Sequence, residues 1–422
     1  MKTHLFLSLI LLGCVLSCGK DTVVGPAIPT VELQALRIEA IEVALKITLT
    51  DTLTPRTFAL RRDGVMIASG EMLRNETTVV DTTVRPAQSY LYRALRTING
   101  EAVDSSDVVA VTTLDTTLHS YTWEQQTIGV FQSSLSDVWG STPNDVWAVG
   151  RITDTTAGFR PNATHFDGNT WSLVQIEEGF DVFGIFGFTA NNIFAVGTNG
   201  RVYHWDGTKW KQQVCLGIGD GCSGLLNGEQ LNAIWGTSSQ ELFAVGVGGV
   251  IVHYDGQRWT KMSSGAEINL WDVWGFNSTD VYCAGADFFG GQGIVLHYDG
   301  TQWRPIMVDQ NPSFRHFSVW GANQNHVVTT GDFTYRFDGQ KWRRLRVPDL
   351  SILKQKVVGT AVNDIFIVGD FGLMLHWNGT NWRRYDAVSF TGTIRGLWTD
   401  GKEVIAVGWT SALGVIIHGK SF

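Results

Sequence analysis

The stretch from Trp139 to Trp171 decides the fold. It opens on Trp139-Gly140, continues through the apolar run Val146-Trp147-Ala148-Val149-Gly150, reaches His165-Phe166-Asp167-Gly168 and closes on Trp171. The same order then returns along the chain. A Trp-Gly-like pair recurs with its glycine at 187, 236, 275, 321 and 359, and a degenerate copy reads Trp398-Thr399, so successive spacings are 47, 49, 39, 46, 38 and 40 residues. His-aromatic-Asp-Gly recurs at 204–207, 253–256 and 297–300, with variants Arg336-Phe337-Asp338-Gly339 and His376-Trp377-Asn378-Gly379. A tryptophan stands three residues after each of these glycines: Trp171, Trp210, Trp259, Trp303, Trp342 and Trp382.

Periods of this length fit one four-stranded sheet per repeat, and a sheet that cannot bury its own faces must stack on its neighbours. The last copy ends at Val415-Ile416-Ile417-His418-Gly419 without a fourth strand. Trp123 precedes Trp139 by 16 residues, the spacing that also separates Trp382 from Trp398. Residues 121–128 therefore supply the missing strand from the N-terminal side, which closes the ring and removes open sheet edges. The prediction is an all-β chain whose residues 118–422 form a seven-bladed β-propeller. Asp-Gly and Asn-Gly are expected to form two-residue hairpins between the third and fourth strands. These motifs resemble the Trp-Gly propeller repeats of exported bacterial proteins and, more distantly, the propellers of photosystem II assembly factors. The turn is also similar to the Asp-box of sialidase-type propellers, although Asp and Gly are adjacent here. The resemblance implies a fold and leaves activity open.

All 17 tryptophans lie at or beyond Trp123, which marks a boundary. Residues 31–117 instead carry short alternating runs separated by turn signals, among them Asp63-Gly64 and Asn99-Gly100, and read as a small antiparallel β-sandwich. This segment resembles a fibronectin type III domain, with Tyr90 in the place of the tyrosine that bonds across a strand corner. The usual second-strand tryptophan is missing, so Ile47 or Leu49 is expected to fill its space. Such domains serve as spacers.

Lys2 precedes an apolar run from Leu5 to Leu16, too short to span a bilayer and suited to a secretory signal. Val15-Leu16-Ser17-Cys18-Gly19 resembles a bacterial lipobox. The resemblance implies a signal peptide over 1–17, acylation of Cys18, a lipidated tether over 18–30 and an address in the cell envelope, at the outer membrane or cell surface. A cut before Cys14 is the alternative. Export makes a disulfide between Cys215 and Cys222 plausible chemistry, around a Gly-rich loop, while Cys283 reads as a small buried hydrophobe. With 32 basic against 40 acidic residues, the formal charge of -8 offers no footprint for nucleic acid. Membrane contact is expected through the lipid anchor only, and the protein is expected to be a monomer.

Function is sought where the repeat is elastic. Ten residues separate the Trp-Gly glycine from the glycine ending the second strand in all six full copies, and three separate turn glycine from tryptophan. The other two connections vary, from 8 to 18 and from 15 to 25 residues, and strand alternation places both on one face. Recognition is usually built on variable loops over a rigid scaffold. The largest excursions, 151–163, 214–230 and 286–293, nominate Phe159, Arg160, Asp220, Asn227, Asp287, Phe288, Phe289 and Gln292 as a binding face for a protein or glycan. Loop variation without a ligand is the plain alternative. His165, His204, His253, His297 and His376 diverge around the ring, one per blade, and read as structural. No metal site, cofactor or catalytic residue is expected: GxSxG, HExxH and phosphate-loop motifs are absent. A carbohydrate-active propeller enzyme is the rival reading, and it would gather carboxylates or arginines at the central channel.

Overall fold

The computed structural model describes residues 30–422, apart from 53, 157, 288, 289, 307, 310–312, 350 and 389. Cys14, Cys18, the signal segment and the two phenylalanines Phe288 and Phe289 lie outside the described residues. The described residues form two compact units, one drawn from 30–36, 45–79 and 90–111 and the other from 37–44, 80–89 and 112–422.

The N-terminal strands build two antiparallel sheets. Strands β1 (Val31–Ile38), β2 (Val43–Leu49) and β5 (Glu76–Asp81) form one, in the order β1-β2-β5. Strands β3 (Thr57–Arg62), β4 (Val65–Glu71), β6 (Ser89–Ile98) and β7 (Glu101–Ser105) form the other in the order β4-β3-β6-β7, with β8 (Val109–Thr112) paired to β6. The Asp63-Gly64 and Asn99-Gly100 turns carry positive φ at both residues, 49° and 83°, then 51° and 87°, the conformation that lets a two-residue loop follow the strand twist. Ile47 and Leu49 are both buried, so the two share the core space expected of either. Tyr92 is fully buried, whereas Tyr90 lies under the guanidinium of Arg62, 4.9 Å from its ring centroid.

The remaining chain makes seven four-stranded antiparallel sheets among the described residues. Their inner strands are Ser134–Thr142, Val182–Thr189, Leu231–Ser238, Leu270–Asn277, His316–Asn323, Lys354–Ala361 and Thr393–Thr399, here blades 1 to 7. The second strands are buried almost throughout, as in Val146-Trp147-Ala148-Val149-Gly150, because a neighbouring blade covers each face. Among the described residues of the blades, each apolar cluster joins adjacent blades: Val149 of blade 1 packs with Val182 and Tyr203 of blade 2, and Ile405 and Ile416 of blade 7 pack with Leu135 and Val146 of blade 1. The ring is therefore closed. Strand β9 (Tyr121–Ile128) completes blade 7, paired from Tyr121 opposite Ser421 to Ile128 opposite Gly414, as the spacing of Trp123 predicts.

The hairpin expectation needs correction. Phe166 pairs with Trp171, so the connection is a four-residue loop, and only its glycine, Gly168, has positive φ, at 93°. Asp167 stays at ordinary φ and accepts the N–H groups of Asn169 and Thr170 on Oδ1, both at 2.9 Å. An Asx turn thus replaces the expected backbone geometry. The same pair of bonds recurs at Asp206, Asp255, Asp299, Asp338 and Asn378. Hydrogen bonds from Thr301 and Gln302 hold the Asp299 carboxyl down, to about 2. In each of these carboxylates Oδ1 is engaged as the turn acceptor.

The Trp-Gly pair acquires its meaning between blades. A Cβ on Gly187 would stand 2.7 Å from Cη2 of Trp139, one on Gly275 2.6 Å from Cη2 of Trp235, one on Gly359 2.8 Å from Cη2 of Trp320, and one on Gly140 3.1 Å from Cε2 of Trp398. Each indole occupies the space a side chain would take on the glycine of the next blade. In blade 7 the glycine position is Thr399, and the residue that would face it from blade 6 is Val358. The smaller residue compensates for the missing seat. Val358→Trp alone is expected to destabilise by about 1–3 kcal/mol through overpacking. Adding Thr399→Gly should recover most of that loss. Urea midpoints of the four members of this cycle test it, and strictly additive changes would overturn the seat.

Candidate functional site at the central channel

The seven inner strands share a local irregularity. Pairing with the second strand slips between Leu135 and Asp137, Val182 and Gly184, Leu231 and Ala233, Leu270 and Asp272, His316 and Ser318, Lys354 and Lys356, and Ile394 and Gly396. The skipped residues are Ser136, Phe183, Asn232, Trp271, Phe317, Gln355 and Arg395. A bulge re-aims the extra side chain out of the ladder, and all seven of these line one small cavity at the axis. They follow the variable loops that enter each inner strand, so they ring the channel mouth on the variable-loop face. Trp271 and Phe317 lie 6.2 Å apart, and the Arg395 guanidinium sits 4.6 Å from the Trp271 centroid.

One residue deeper, the channel narrows to a polar waist. Asp272 accepts from Lys356 Nζ at 2.9 Å and Val273 N at 3.1 Å on Oδ1, and from Ser318 Oγ at 2.5 Å and Val319 N at 3.2 Å on Oδ2. Ser318 Oγ in turn accepts from Val357 N at 3.1 Å. Asp137 reaches Ile185 N at 3.1 Å, and Asn232 Nδ2 donates to Leu270 O at 2.8 Å. Side chains of one blade thus satisfy inner-strand groups of the next. Burial pushes the Asp137 carboxyl up, against the pull of Lys356. Burial works against the Lys356 ammonium, but Asp272 and Asp137 more than offset it and raise its pKa.

Below the waist come an aliphatic layer and then the tryptophan layer of the Trp-Gly pairs. Together they enclose a cavity of about 240 Å³ that opens towards the fixed turns.

The loop residues nominated from sequence behave as local surface. Phe159 is 40% exposed, and Asp220, Asn227 and Gln292 are exposed. Arg160 pairs with Asp181 at 3.1 Å, and Asp287 N donates to Gln292 O at 2.8 Å, so these side chains and backbones are tied within their own regions. Cys215 and Cys222 form a disulfide that clips the 214–230 excursion, and Cys283 is buried as expected, its thiol pushed up by burial. The residues that do converge, at the mouth and waist, are not among those the variable loops nominate. Asp-Val-Trp-Gly occurs in both 137–140 and 272–275, and this repeated aspartate was the available signal.

The repeat histidines are structural. His165 Nε2 bonds Asp145 at 2.7 Å and its ring stacks on Trp147 at 4.2 Å. His204 pairs with Asn192 over Phe194, His253 with Glu241 over Phe243, His297 with Asp280 over Tyr282, and His376 with Asp364 over Phe366. Each ties the third strand to the start of the second. Among the described residues no three His, Cys, Asp or Glu side chains gather as a metal site.

No family profile matches the sequence. No curated protein matches it significantly. Among solved structures, YCF48 bound to D1 peptide is similar with a TM-score of 0.54 at 14% identity, over 73% of this chain and 99% of that one. YCF48 from Cyanidioschyzon merolae gives a TM-score of 0.52 at 14% identity, over 71% of this chain and 98% of that one. At this identity the likeness is one of fold.

Burial also sets a pH dependence at the start of the blade 5 inner strand. Desolvation lowers His316 from 6.5 to about 4, despite Asp332 and Asp309. The unfolded chain therefore takes up this proton before the folded one does. The stability His316 lends is complete above pH 6.5 and falls as pH drops from 6.5 towards 4, by roughly 3 kcal/mol at most. Urea midpoints measured from pH 7.5 to 4.5 should show the fall, and His316→Asn should flatten it. An unchanged slope in the variant would refute the assignment.

Proposed function

We propose that the chain is a non-catalytic lipoprotein of the cell envelope, whose propeller acts as a binding or assembly scaffold for a protein partner. The observation that carries this reading is the ring of seven bulged residues at the channel mouth. It sets the partly exposed Phe183, Trp271 and Arg395 beside the buried Phe317, Asn232 and Gln355 on the face where the connections vary. Aromatic and arginine side chains with amides around them are the composition of protein contact centres. The variable loops, with Phe159, Asp220 and Asn227 exposed, extend this surface outward. The existence of a similar fold in YCF48 bound to D1 peptide supports a peptide or protein as the partner class over a glycan.

In this reading the N-terminal sandwich is a fibronectin-like spacer over 31–117, and Cys18 carries the lipid. Two or more acyl chains hold a protein on a membrane almost permanently, at ~0.8 kcal/mol per buried CH₂. The rival reading, a carbohydrate-active enzyme, draws on the two carboxylates and the arginine that do stand in the channel. Against it, Asp272 spends its oxygens on four donors, which leaves no free carboxylate pair for acid and nucleophile chemistry.

Two experiments test the proposal. Affinity capture from native envelopes with the wild-type chain should enrich one protein, and Trp271→Ala with Arg395→Ala should lose it. Enrichment that survives both changes would move the docking surface away from the mouth, and retention of purified envelope polysaccharide in place of protein would favour a glycan. Separately, Cys18→Ser should release the chain from membrane pellets. Release by Cys14→Ser alone would reassign the lipidated residue.

A further inference from the structure

The linker ahead of the closing strand carries a histidine that is not part of the repeat. It belongs to the same compact unit as the blades, which takes in Thr112–Phe422. Thr117 N donates to Asn378 O at 3.1 Å, Thr117 Oγ1 to Asn363 O at 2.9 Å and Asn363 Nδ2 to Asp115 O at 2.7 Å, and these bonds lay the linker along the turns of blade 6. The Tyr385 hydroxyl donates to His119 O at 3.1 Å. His119 is thereby held edge-on to His376, with ring centroids 4.8 Å apart and the two Nδ1 atoms 2.9 Å from each other. His376 is fully buried and His119 half-buried, so the pair is reached from the His119 side.

A count of ring hydrogens says what that contact is. The Asp364 carboxylate accepts at 2.8 Å from His376 Nε2, so His376 carries its hydrogen there. At His119 the tautomer is set through the blade 6 turn. Asn378 Oδ1 accepts the backbone N–H groups of Thr380 and Asn381, both at 3.0 Å, and the Thr380 hydroxyl at 2.9 Å. Thr380 Oγ1 has then given its hydrogen and accepts from Asn381 Nδ2 at 3.1 Å. That leaves Asn381 Oδ1 facing His119 Nε2 at 3.0 Å, which makes this nitrogen the donor. In the neutral pair both hydrogens are therefore on Nε2, and both Nδ1 atoms turn lone pairs towards each other.

Two imidazoles whose far N–H groups are held by a carboxylate and an amide oxygen, and whose near nitrogens converge, have the form of a metal site with its supporting partners. The separation also selects a geometry. With metal–nitrogen bonds of about 2.0–2.1 Å, nitrogens 2.9 Å apart subtend about 90° at the metal, whereas a tetrahedral centre needs about 3.3 Å. An angle near 90° suits neighbouring positions of a square-planar or tetragonal ion, the preference of copper(II) and nickel(II), and not tetrahedral zinc. Asp364, on His376, and Arg383, which acts on His119, bring one charge of each sign to the pair. Burial and the His376 ring hold the His119 pKa below its ordinary 6.5, so a shared proton is the weaker occupant at neutral pH.

We propose that His119 and His376 bind one divalent copper or nickel ion through their Nδ1 atoms, with water in the remaining positions, at the turns of blade 6 and apart from the docking surface.

The test adds Cu²⁺, Ni²⁺ or Zn²⁺ to the purified full chain, made without a polyhistidine tag, and follows aromatic fluorescence and, for copper, electron paramagnetic resonance. Trp123 packs 4.8 Å from Tyr385 and Tyr121 packs 5.8 Å from His376, so bound copper should quench their emission. One equivalent of Cu²⁺ should bind, at least about tenfold tighter than Zn²⁺, with two imidazole nitrogens in its resonance spectrum. His119→Gln should abolish that two-nitrogen signal, and Asn381→Ala, at an exposed position behind His119, should weaken copper binding about tenfold or more. No saturable response at about 100 μM Cu²⁺ would overturn the proposal, as would copper binding that His119→Gln leaves unchanged or zinc binding as tight as copper. Should His119→Gln fail to fold, as checked by its melt, the nitrogen count of the wild-type chain decides alone, two sustaining the site and any other number overturning it.

Discussion

An indole seated on the bare backbone of the next blade is the contact on which this ring depends. Trp139 on Gly187, Trp235 on Gly275, Trp320 on Gly359 and Trp398 on Gly140 each fill the volume that a side chain would claim. The contact is directional, from the tryptophan of one blade to the glycine of the following one, so it sets both the spacing and the order of the blades. It also explains why the two residues travel as a pair. In Trp139-Gly140 the tryptophan serves the next interface and the glycine serves the previous one. Three interfaces depart from this: Phe186 stands in the indole's place before Gly236, Phe276 rather than Trp274 fills the space over Gly321, and Val358 precedes Thr399, where a blade without a glycine seat follows a blade without an indole.

Fixing the blades in this way leaves the inner strands crowded around one axis, and the recurring bulge is how the chain uses that crowding. One residue per inner strand leaves the ladder and faces the mouth, and the next residue reaches across to the neighbouring blade. Where that residue is Gly184 or Gly396, the backbones of adjacent blades approach closely, with Asn232 O and the Asp137 Cα respectively 2.7 Å from where a Cβ would lie. Where it is Asp137, Asp272 or Ser318, a hydrogen bond to the next inner strand takes the place of that close approach. The polar waist is therefore part of the ring's construction as well as the floor of a cavity. That double use accounts for how completely Asp272 is engaged, since an unsatisfied carboxylate at this depth would cost several kcal/mol.

The repeated motifs were legible because they are local. The period of the Trp-Gly pair, the invariant three residues from turn glycine to tryptophan, and the stranded Trp123 imply seven blades and the closing strand, and the pairing of Tyr121–Ile128 with the last strand agrees. The histidines were rightly placed in the scaffold, although their partners Asp145, Glu241, Asp280 and Asp364 were not recognised as half of each pair. The turn was misread in detail, because Asp-Gly signals a tight hairpin only when the backbone makes the turn by itself. Here the Asp167 carboxylate takes two amides and a longer loop becomes favourable.

Sequence by itself determined the class, the number of blades, the face on which loops vary and the disulfide, each of which follows from residue type and separation along the chain. Tertiary structure alone decided the site. Ser136, Phe183, Asn232, Trp271, Phe317, Gln355 and Arg395 have no type in common; each stands four residues before the glycine position of its repeat, but its role is a position around an axis. Lys356 and Asp272 are 84 residues apart and belong to blades that are not adjacent, yet they share a hydrogen bond of 2.9 Å. A ring brings together one side chain from every repeat whatever its chemistry, so what converges is fixed by closure of the ring and cannot be read from any single repeat.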